Sequence, residues 1–526
     1  MTPDLPAAGE VLPLSRRLTA YPDPVALFSR LCDKGERAHT LLFESADATT
    51  KQTERSFLLT RCALQATCRG RQVRVRALSD GGAATLGWLR DRLAASGAAT
   101  VAWDGADVVA DYPPAPFGNA EARLRAPSPM DVLRVLSREL TPLERPAPQT
   151  VLVAGVFAYD MLAVYEELPE VPGGPDDAPD FVFWLPEEVI VVDHRQGTTQ
   201  LLVHVLGGEG VEARFHDSAR RVAELVATLE SAPTHAEPPP PAPEQGRAQV
   251  DLSDAEFAAI VTRLKKRIVA GDVFQVVPSR RFSLPCPDPF ATYRRLRALN
   301  PSPYMFYVRG EDMTLLGTSP ETAVQVEGSP RSVFIRPIAG TTRRGRNPAG
   351  DIDVDLDGRL EAALRLDEKE LAEHMMLIDL ARNDVARVSR AGTRHVSRLL
   401  GVDRYSHVMH LVSEVTGELR EDLDALHAYV ASMNMGTLVG APKLAAATIL
   451  RDIEPTRRGP YGGAVGYIAD DGTMDSAIVI RSAVVREGVA HVRAGAGVVF
   501  DSDPRSEAQE TSRKAAAVLR ALGGHP

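Results

Sequence analysis

Four glutamates and one lysine stand at spacings that could build a metal and anion site. Glu370 and Glu373 lie three residues apart in the stretch Asp367–Val388, where Leu371, Met375, Ile378 and Val385 form a helical apolar stripe. Residues three apart share a helix face. Two carboxylates held together on a largely buried helix repel unless a proton or cation intervenes. Mg2+ suits such a pair, since it takes oxygen ligands and keeps waters for a substrate oxyanion. The same spacing also suits an acidic first turn favoured by the helix dipole. Further on, Asp501-Ser-Asp-Pro504 signals a helix start, and Glu507, Glu510 and Lys514 then line one side. That pattern serves equally as a surface Glu–Lys pair. Three glycine-rich polar strings read as turns: Pro337–Gly345 (PIAGTTRRG), Gly436–Lys443 (GTLVGAPK) and Gly495-Ala-Gly497. Glycine lets backbone N–H groups approach an anion, and threonine hydroxyls add donors. Arg481 and Lys514 could neutralise carboxylates. Each string is also ordinary turn chemistry. Together they describe a pocket for a small polyanion with a divalent metal.

Several familiar patterns fail. Asp353–Gly358 (DVDLDG) opens like a calcium loop, but its twelfth position is Leu364, so it reads as a solvated acidic loop. After Gly495-Ala-Gly497 the third glycine position of a dinucleotide fingerprint holds Phe500. No phosphate-binding P-loop, zinc-protease or nucleophile-elbow string is present.

The elements that must position these groups fall on either side of a break. Ser231–Gln249 contains four consecutive prolines, Pro238–Pro241, which favour an extended, semi-rigid surface linker. We therefore divide the chain into an N-terminal domain (18–230), a linker (231–249) and a second domain (250–522). Before the linker, strands are expected at Thr40–Glu44, Gln72–Ala77, Phe181–Val192 and Thr199–Val205, the last two as a hairpin. Helices are expected at Met130–Glu139 and Arg214–Leu229. After it, Ser253 and Glu256 form a capping box for a helix. Strands follow at Val273–Val277, Tyr304–Val308, Met313–Gly317, Ala323–Glu327, Gly463–Ala469, Ser476–Val485 and His491–Phe500. Long helices span Lys369–Val388 and Pro504–Leu522. Strands adjoin strands without βαβ alternation, so the fold class is α+β, with antiparallel sheets and packed helices.

The 526 residues leave ample chain for a large core, and a net charge of -10 disfavours a general nucleic-acid binder. Cys32, Cys62, Cys68 and Cys286 form no C-x-x-C pair and read as reduced, buried thiols. The first residues lack the apolar run of a secretory signal, and Val151–Tyr159, the longest apolar run, is about half a membrane span. A cytoplasmic protein without membrane contact is expected.

With these strings stand GDVFQVVPSR (271–280), TSPETAVQ (318–325), YSHVMHLVSEVTGELR (405–420) and GAGVVFDSDPRSEAQET (495–511). In this order the chain resembles the chorismate-utilising enzymes, and among them the large subunits of anthranilate synthases. LLFESAD (41–47) resembles the regulatory segment of those subunits. The resemblance implies large antiparallel β-sheets wrapped by helices, with an entwined N-terminal regulatory domain. It implies amination of chorismate by ammonia to aminodeoxyisochorismate, then loss of pyruvate to give anthranilate, the first committed step of tryptophan biosynthesis. Mg2+ is implied as cofactor. Glu373 and Glu510 match metal-binding glutamates, and Glu370 and Glu507 match acids that support the metal through water. Glu321 matches a general acid for the departing ring hydroxyl, a role open to a buried carboxyl of raised pKa. His410 matches a histidine used in proton transfer and pyruvate elimination. Gly340, Thr341, Thr437, Tyr461, Arg481, Gly495, Gly497 and Lys514 match substrate-side positions. Two positions choose among relatives. Where isochorismate and salicylate synthases carry a water-activating lysine stands Gln275, and where aminodeoxychorismate synthases carry a nucleophilic lysine stands Ala339. Both point to ammonia attacking the ortho position.

The resemblance also implies feedback by tryptophan. Glu44, Ser45 and Lys51 match one wall of that site, Pro303, Tyr304, Met305 and Phe306 another, and Val465 and Tyr467 a third. Ala477 departs from relatives that carry cysteine there. None of the four cysteines lies in the G-x-C-x-G setting of a glutaminase nucleophile, so a separate glutaminase subunit is expected, in a heterotetramer of two large and two small chains. Two other readings are weighed: an aminodeoxyisochorismate synthase that retains pyruvate, against which His410 and LLFES argue, and a non-catalytic tryptophan-binding regulator, against which the intact Glu370, Glu373, Glu510, His410 and Lys514 argue.

Overall fold

Local signals decide where the long helices begin and end. Asp367 and Asp503 accept hydrogen bonds from first-turn N–H groups and start the Glu368–Val388 and Pro504–Leu522 helices, and left-handed Gly523 closes the second. Ser253 and Glu256 form the expected capping box at the head of Asp254–Val269. These contacts belong to a computed structural model that describes residues 4–46, 53–115, 118–235, 237–405 and 408–526.

Among the described residues, hydrogen bonds link 23 strands into one continuous, almost wholly antiparallel network, and the helices pack on it. The Phe181–Asp193 and Thr198–Leu206 strands form the expected hairpin. Strands from before the proline-rich segment are built into the sheets after it. Thr40–Ala46 pairs with Tyr304–Arg309, placing Glu44 opposite Met305. Leu152–Phe157 pairs with Ala464–Ala469, placing Val156 opposite Val465. The core crosses the same divide: Phe157 stacks on Tyr429 with ring centroids 4.2 Å apart. Residues 237–248 are laid along the later half. Arg294 donates to the Glu237 and Pro238 carbonyls, and Gln245 and Ala248 N–H donate to Gly523 and His525. All four cysteines are buried and free. No helix among the described residues is long and apolar enough to cross a membrane.

Several expected elements are redrawn. Asp353–Gly358 is no solvated loop: Asp353 caps a helix over Val354–Leu366, and Asp357 is buried against the Arg344 guanidinium and Gly345 N–H. The string from Pro337 is largely a strand, Ile338–Arg343, and Gly436–Val439 is a helical turn followed by a short strand. Ser476–Val485 is two strands, Met474–Ile478 and Ser482–Arg486, because Arg481 adopts a left-handed φ of 48° between them. The last strand stops at Gly495, and Val273–Val277 reduces to Gln275–Val276. The Met130–Glu139 helix widens to π geometry from Val135.

Candidate active site

The Glu368–Val388 and Pro504–Leu522 helices bring their carboxylates within electrostatic reach of one another. Burial first, opposed by Lys369, and then the like charges of Glu370, Glu507 and Glu510 push the Glu373 carboxyl up to about 7. Glu370 and Glu507 are also raised, chiefly by burial, with Glu510 adding to both. Glu510 differs: burial opposes its charge, but Lys514, 2.7 Å away, outweighs that and holds it below the usual range. The four glutamates of two helices are thus electrostatic neighbours. No three His, Cys, Asp or Glu side chains among the described residues converge closely enough to hold a metal as they stand. The donor set nevertheless fits a hard divalent cation, being all carboxylate and self-repelling.

Across the cleft, Glu321 is buried, and burial pushes its carboxyl up to about 8 against the opposing pull of Thr437, the Ile338 N–H, Arg481 and Lys514. Thr437 lies beside this carboxyl without reaching full hydrogen-bond geometry, and its Oγ1 has no standard partner. Arg481 is half-buried and makes no side-chain hydrogen bond or ion pair among the described residues; burial lowers its pKa, while Tyr405 and Glu321 oppose that. Lys514 donates to the Gly495 carbonyl at 3.1 Å. Burial works against its charge, but Glu510 keeps its pKa raised.

His410 sits directly opposite Thr341 across two paired strands, and Nδ1 is 2.8 Å from the Thr341 hydroxyl. The Tyr405 ring packs edge-on against it. Gly340 has φ +78°, and a Cβ there would stand 2.9 Å from Leu411 Cδ1 and 3.3 Å from Glu370 Oε2. Only glycine lets this strand pass so close to the acidic helix. Gln275 is buried with Oε1 unpartnered, and its Nε2 would meet a Cβ on Gly497 at 2.9 Å. The Tyr461 hydroxyl would meet a Cβ on Gly495 at 3.1 Å. The expected positions are thus linked in pairs, Glu321 with Thr437, Arg481 and Lys514, Lys514 with Glu510 and Gly495, Gly340 with Glu370, and Thr341 with His410.

A second, separate cavity of about 300 Å3 is lined by Glu44, Ser45, Tyr304, Met305, Phe306, Val465 and Tyr467. Pro303 does not line it, and Lys51 lies outside the described residues. The Glu44 carboxylate is already occupied: Arg297 donates to both oxygens and the Tyr293 hydroxyl donates at 2.6 Å. Sequence reasoning missed Asp475, Arg55 and Arg195 in the lining. Asp475 accepts from the Tyr304 hydroxyl at 3.0 Å, and burial first pushes its carboxyl up to about 6. A signal for it existed, because the Asp471-Gly472 turn pairs Tyr467 with Asp475 and Val465 with Ala477.

The chain is similar to known proteins over most of its length. A chorismate binding enzyme family model matches residues 99–520. Anthranilate synthase component 1 of Vibrio cholerae is 48% identical over 505 residues, covering 95% of this chain and 94% of that protein. The Escherichia coli protein of the same name is 46% identical over 506 residues, covering 96% and 95%. The crystal structure of anthranilate synthase component I from Streptococcus pneumoniae superposes with a TM-score of 0.69 at 29% identity, covering 88% of this chain and 92% of that one. The menaquinone-specific isochorismate synthase of Escherichia coli shares the fold, at TM-score 0.67 and 17% identity, covering 99% and 96%. A chain matched by this family model over most of its length and by such relatives at nearly half identity belongs to the chorismate-binding enzyme family, among its anthranilate synthase component 1 members.

Proposed function

We propose that this chain is the large subunit of an anthranilate synthase, joining chorismate and ammonia to aminodeoxyisochorismate and then eliminating pyruvate to give anthranilate. The observation that carries the reading is the buried Glu321 carboxyl, pushed up to about 8 and placed beside Arg481 and Lys514. A carboxyl still protonated at neutral pH can donate to a departing ring hydroxyl. The two cations can hold the carboxylates of a dianion against it. Gln275 cannot act as a base toward water, and Ala339 offers no nucleophile, so the nitrogen enters as ammonia. His410, with Nδ1 2.8 Å from the Thr341 hydroxyl, would move a proton during amination or elimination. Thr437, Tyr461, Gly340 and Gly497 shape the walls.

Glu373 and Glu510 would hold Mg2+, with Glu370 and Glu507 supporting it through water. Bound there, the ion would neutralise the carboxylates and fix the ring carboxylate of chorismate. A glutaminase subunit supplies the ammonia, in a complex of two large and two small chains. The second cavity is the feedback site for tryptophan: Met305, Phe306, Val465 and Tyr467 give an apolar slot for an indole, with polar groups at one end. The test is direct. Purified protein with chorismate, Mg2+ and an ammonium salt should form fluorescent anthranilate, and tryptophan should suppress it. No anthranilate would sink the reading. An aminated intermediate that retains pyruvate, seen by mass spectrometry, would move the assignment to the aminodeoxyisochorismate synthases.

A further inference from the structure

Behind the cleft, out of reach of any substrate, lies a buried guanidinium with an unusual set of partners. Arg458 is 2% exposed. Its Nε and Nη2 donate to the two oxygens of Glu454 at 2.7 Å. Nη1 donates to the Leu438 carbonyl at 2.7 Å and Nη2 to the Val277 carbonyl at 2.6 Å. Its faces meet aromatic rings, Tyr159 at 4.5 Å and Tyr461 at 5.9 Å. Glu454 in turn accepts from the Ser279 N–H and hydroxyl at 2.8 and 2.9 Å, and Ser279 is the strand partner of Gly495.

The partners are the immediate supports of the cleft wall. Leu438 follows Thr437, Val277 lies two residues after Gln275, Tyr461 is the ring beside Gly495, and Ser279 sets the strand that carries Gly495. The segments of Val277, Leu438 and Tyr461 are separate along the chain, and the Arg458 side chain touches all three directly. A planar fork can satisfy a carboxylate bidentately and still reach two carbonyls; a lysine, with one nitrogen, cannot. Burying the charge is costly unless its donors are used; here two hydrogen bonds go to the Glu454 carboxylate and two to the carbonyls of Leu438 and Val277, in the segments that carry Thr437 and Gln275. We propose that Arg458, held by Glu454, is a positioning residue for chorismate, setting the mutual placement of Gln275, Thr437, Tyr461 and Gly495 without touching the substrate.

The inference rests on the chorismate reading, and the experiment separates the two. Arg458→Lys keeps a positive charge beside Glu454 but loses the bridge. Ser279→Ala removes one donor to Glu454 without stranding a charge, and is the milder arm. Glu188→Gln, which weakens the pair between buried Glu188 and half-buried Arg221 in the N-terminal half, is the control for general destabilisation. KM for chorismate with ammonium as nitrogen donor, and chorismate Kd by calorimetry, are measured on the full chain. We expect R458K to raise both at least tenfold, S279A to raise both two- to threefold, and E188Q to leave both unchanged. A merely structural role lowers the active fraction, hence apparent kcat, and leaves KM and Kd unchanged. Wild-type KM and Kd in R458K would overturn the proposal. If R458K does not fold, wild-type values in S279A overturn it. Should the wild-type chain bind chorismate without turning it over, the functional reading fails, while the Kd ratios still decide the positioning role.

Discussion

The Glu321 carboxyl makes a prediction about stability that can be separated from catalysis. Replacing it by glutamine keeps the shape and removes the titration. The native carboxyl sits at about 8, against 4.5 for an unperturbed glutamate, with burial as the largest cause. Its native pKa is raised, so the folded state holds the proton more tightly than the unfolded state. Stability is therefore unaffected below about pH 4.5, falls as pH rises through the window up to about 8, and is level above it. At about 1.4 kcal/mol per pH unit, the wild type should lose about 3–4 kcal/mol relative to Glu321→Gln between pH 5 and pH 9. Other raised carboxyls, Glu373 among them, titrate in both proteins and cancel in the difference. Urea unfolding of the two proteins at several pH values gives this difference directly. E321Q should be the more stable protein at pH 9, nearly matched at pH 5, and without anthranilate formation throughout. A difference that stays flat with pH would show that the carboxyl is not raised, and the general-acid assignment would lose its physical basis.

Three further outcomes are expected. Glu373→Gln should abolish Mg2+-dependent anthranilate formation while leaving tryptophan affinity, read by calorimetry, within about twofold of wild type; surviving activity would refute the metal assignment. Tyr304→Phe removes a hydroxyl that donates to Asp475 and meets the Thr322 hydroxyl at 3.0 Å, next to Glu321. It should leave uninhibited activity near wild type and raise the tryptophan concentration for half inhibition by about tenfold, the cost of one hydrogen bond to a charged group. Asp475→Asn should weaken tryptophan more at pH 8 than at pH 5, because the wild-type carboxyl, at about 6, becomes an ammonium partner only as it ionises; equal effects at both pH values would argue against contact with the amino group.

The readability of these features from sequence followed the range of the interactions that produce them. The C-terminal helix was bounded correctly because its start and stop, Asp503 and Gly523, act within a few residues. The break at Arg481 was invisible, since Ser476–Val485 alternates like one strand and the left-handed residue is imposed by the surrounding structure. Asp353–Gly358 misled for a related reason: the acids that suggested a loop are a cap and a partner for Arg344, thirteen residues before Asp357. In the cleft, the spacing of Glu370 and Glu373 could not be told from a solvated first turn without the family resemblance. That Glu507 and Glu510 lie within electrostatic reach of them depends on how two distant helices pack. The occupied carboxylate of Glu44 was equally hidden, because Arg297 and Tyr293 are some 250 positions away.

The interleaving of strands across the proline-rich segment has a consequence for how this chain could be divided. Tyr304–Arg309 has Thr314–Ser319 on one side and Thr40–Ala46 on the other; Ala464–Ala469 has Met474–Ile478 and Leu152–Phe157. A fragment starting after the prolines would turn both into open edges, each with a row of unpaired amides and carbonyls able to recruit another chain. The prolines mark a place where the backbone could be severed, yet neither piece is a finished surface alone. The segment is a seam between two parts of one sheet network, and fragments made there would need each other to remain soluble.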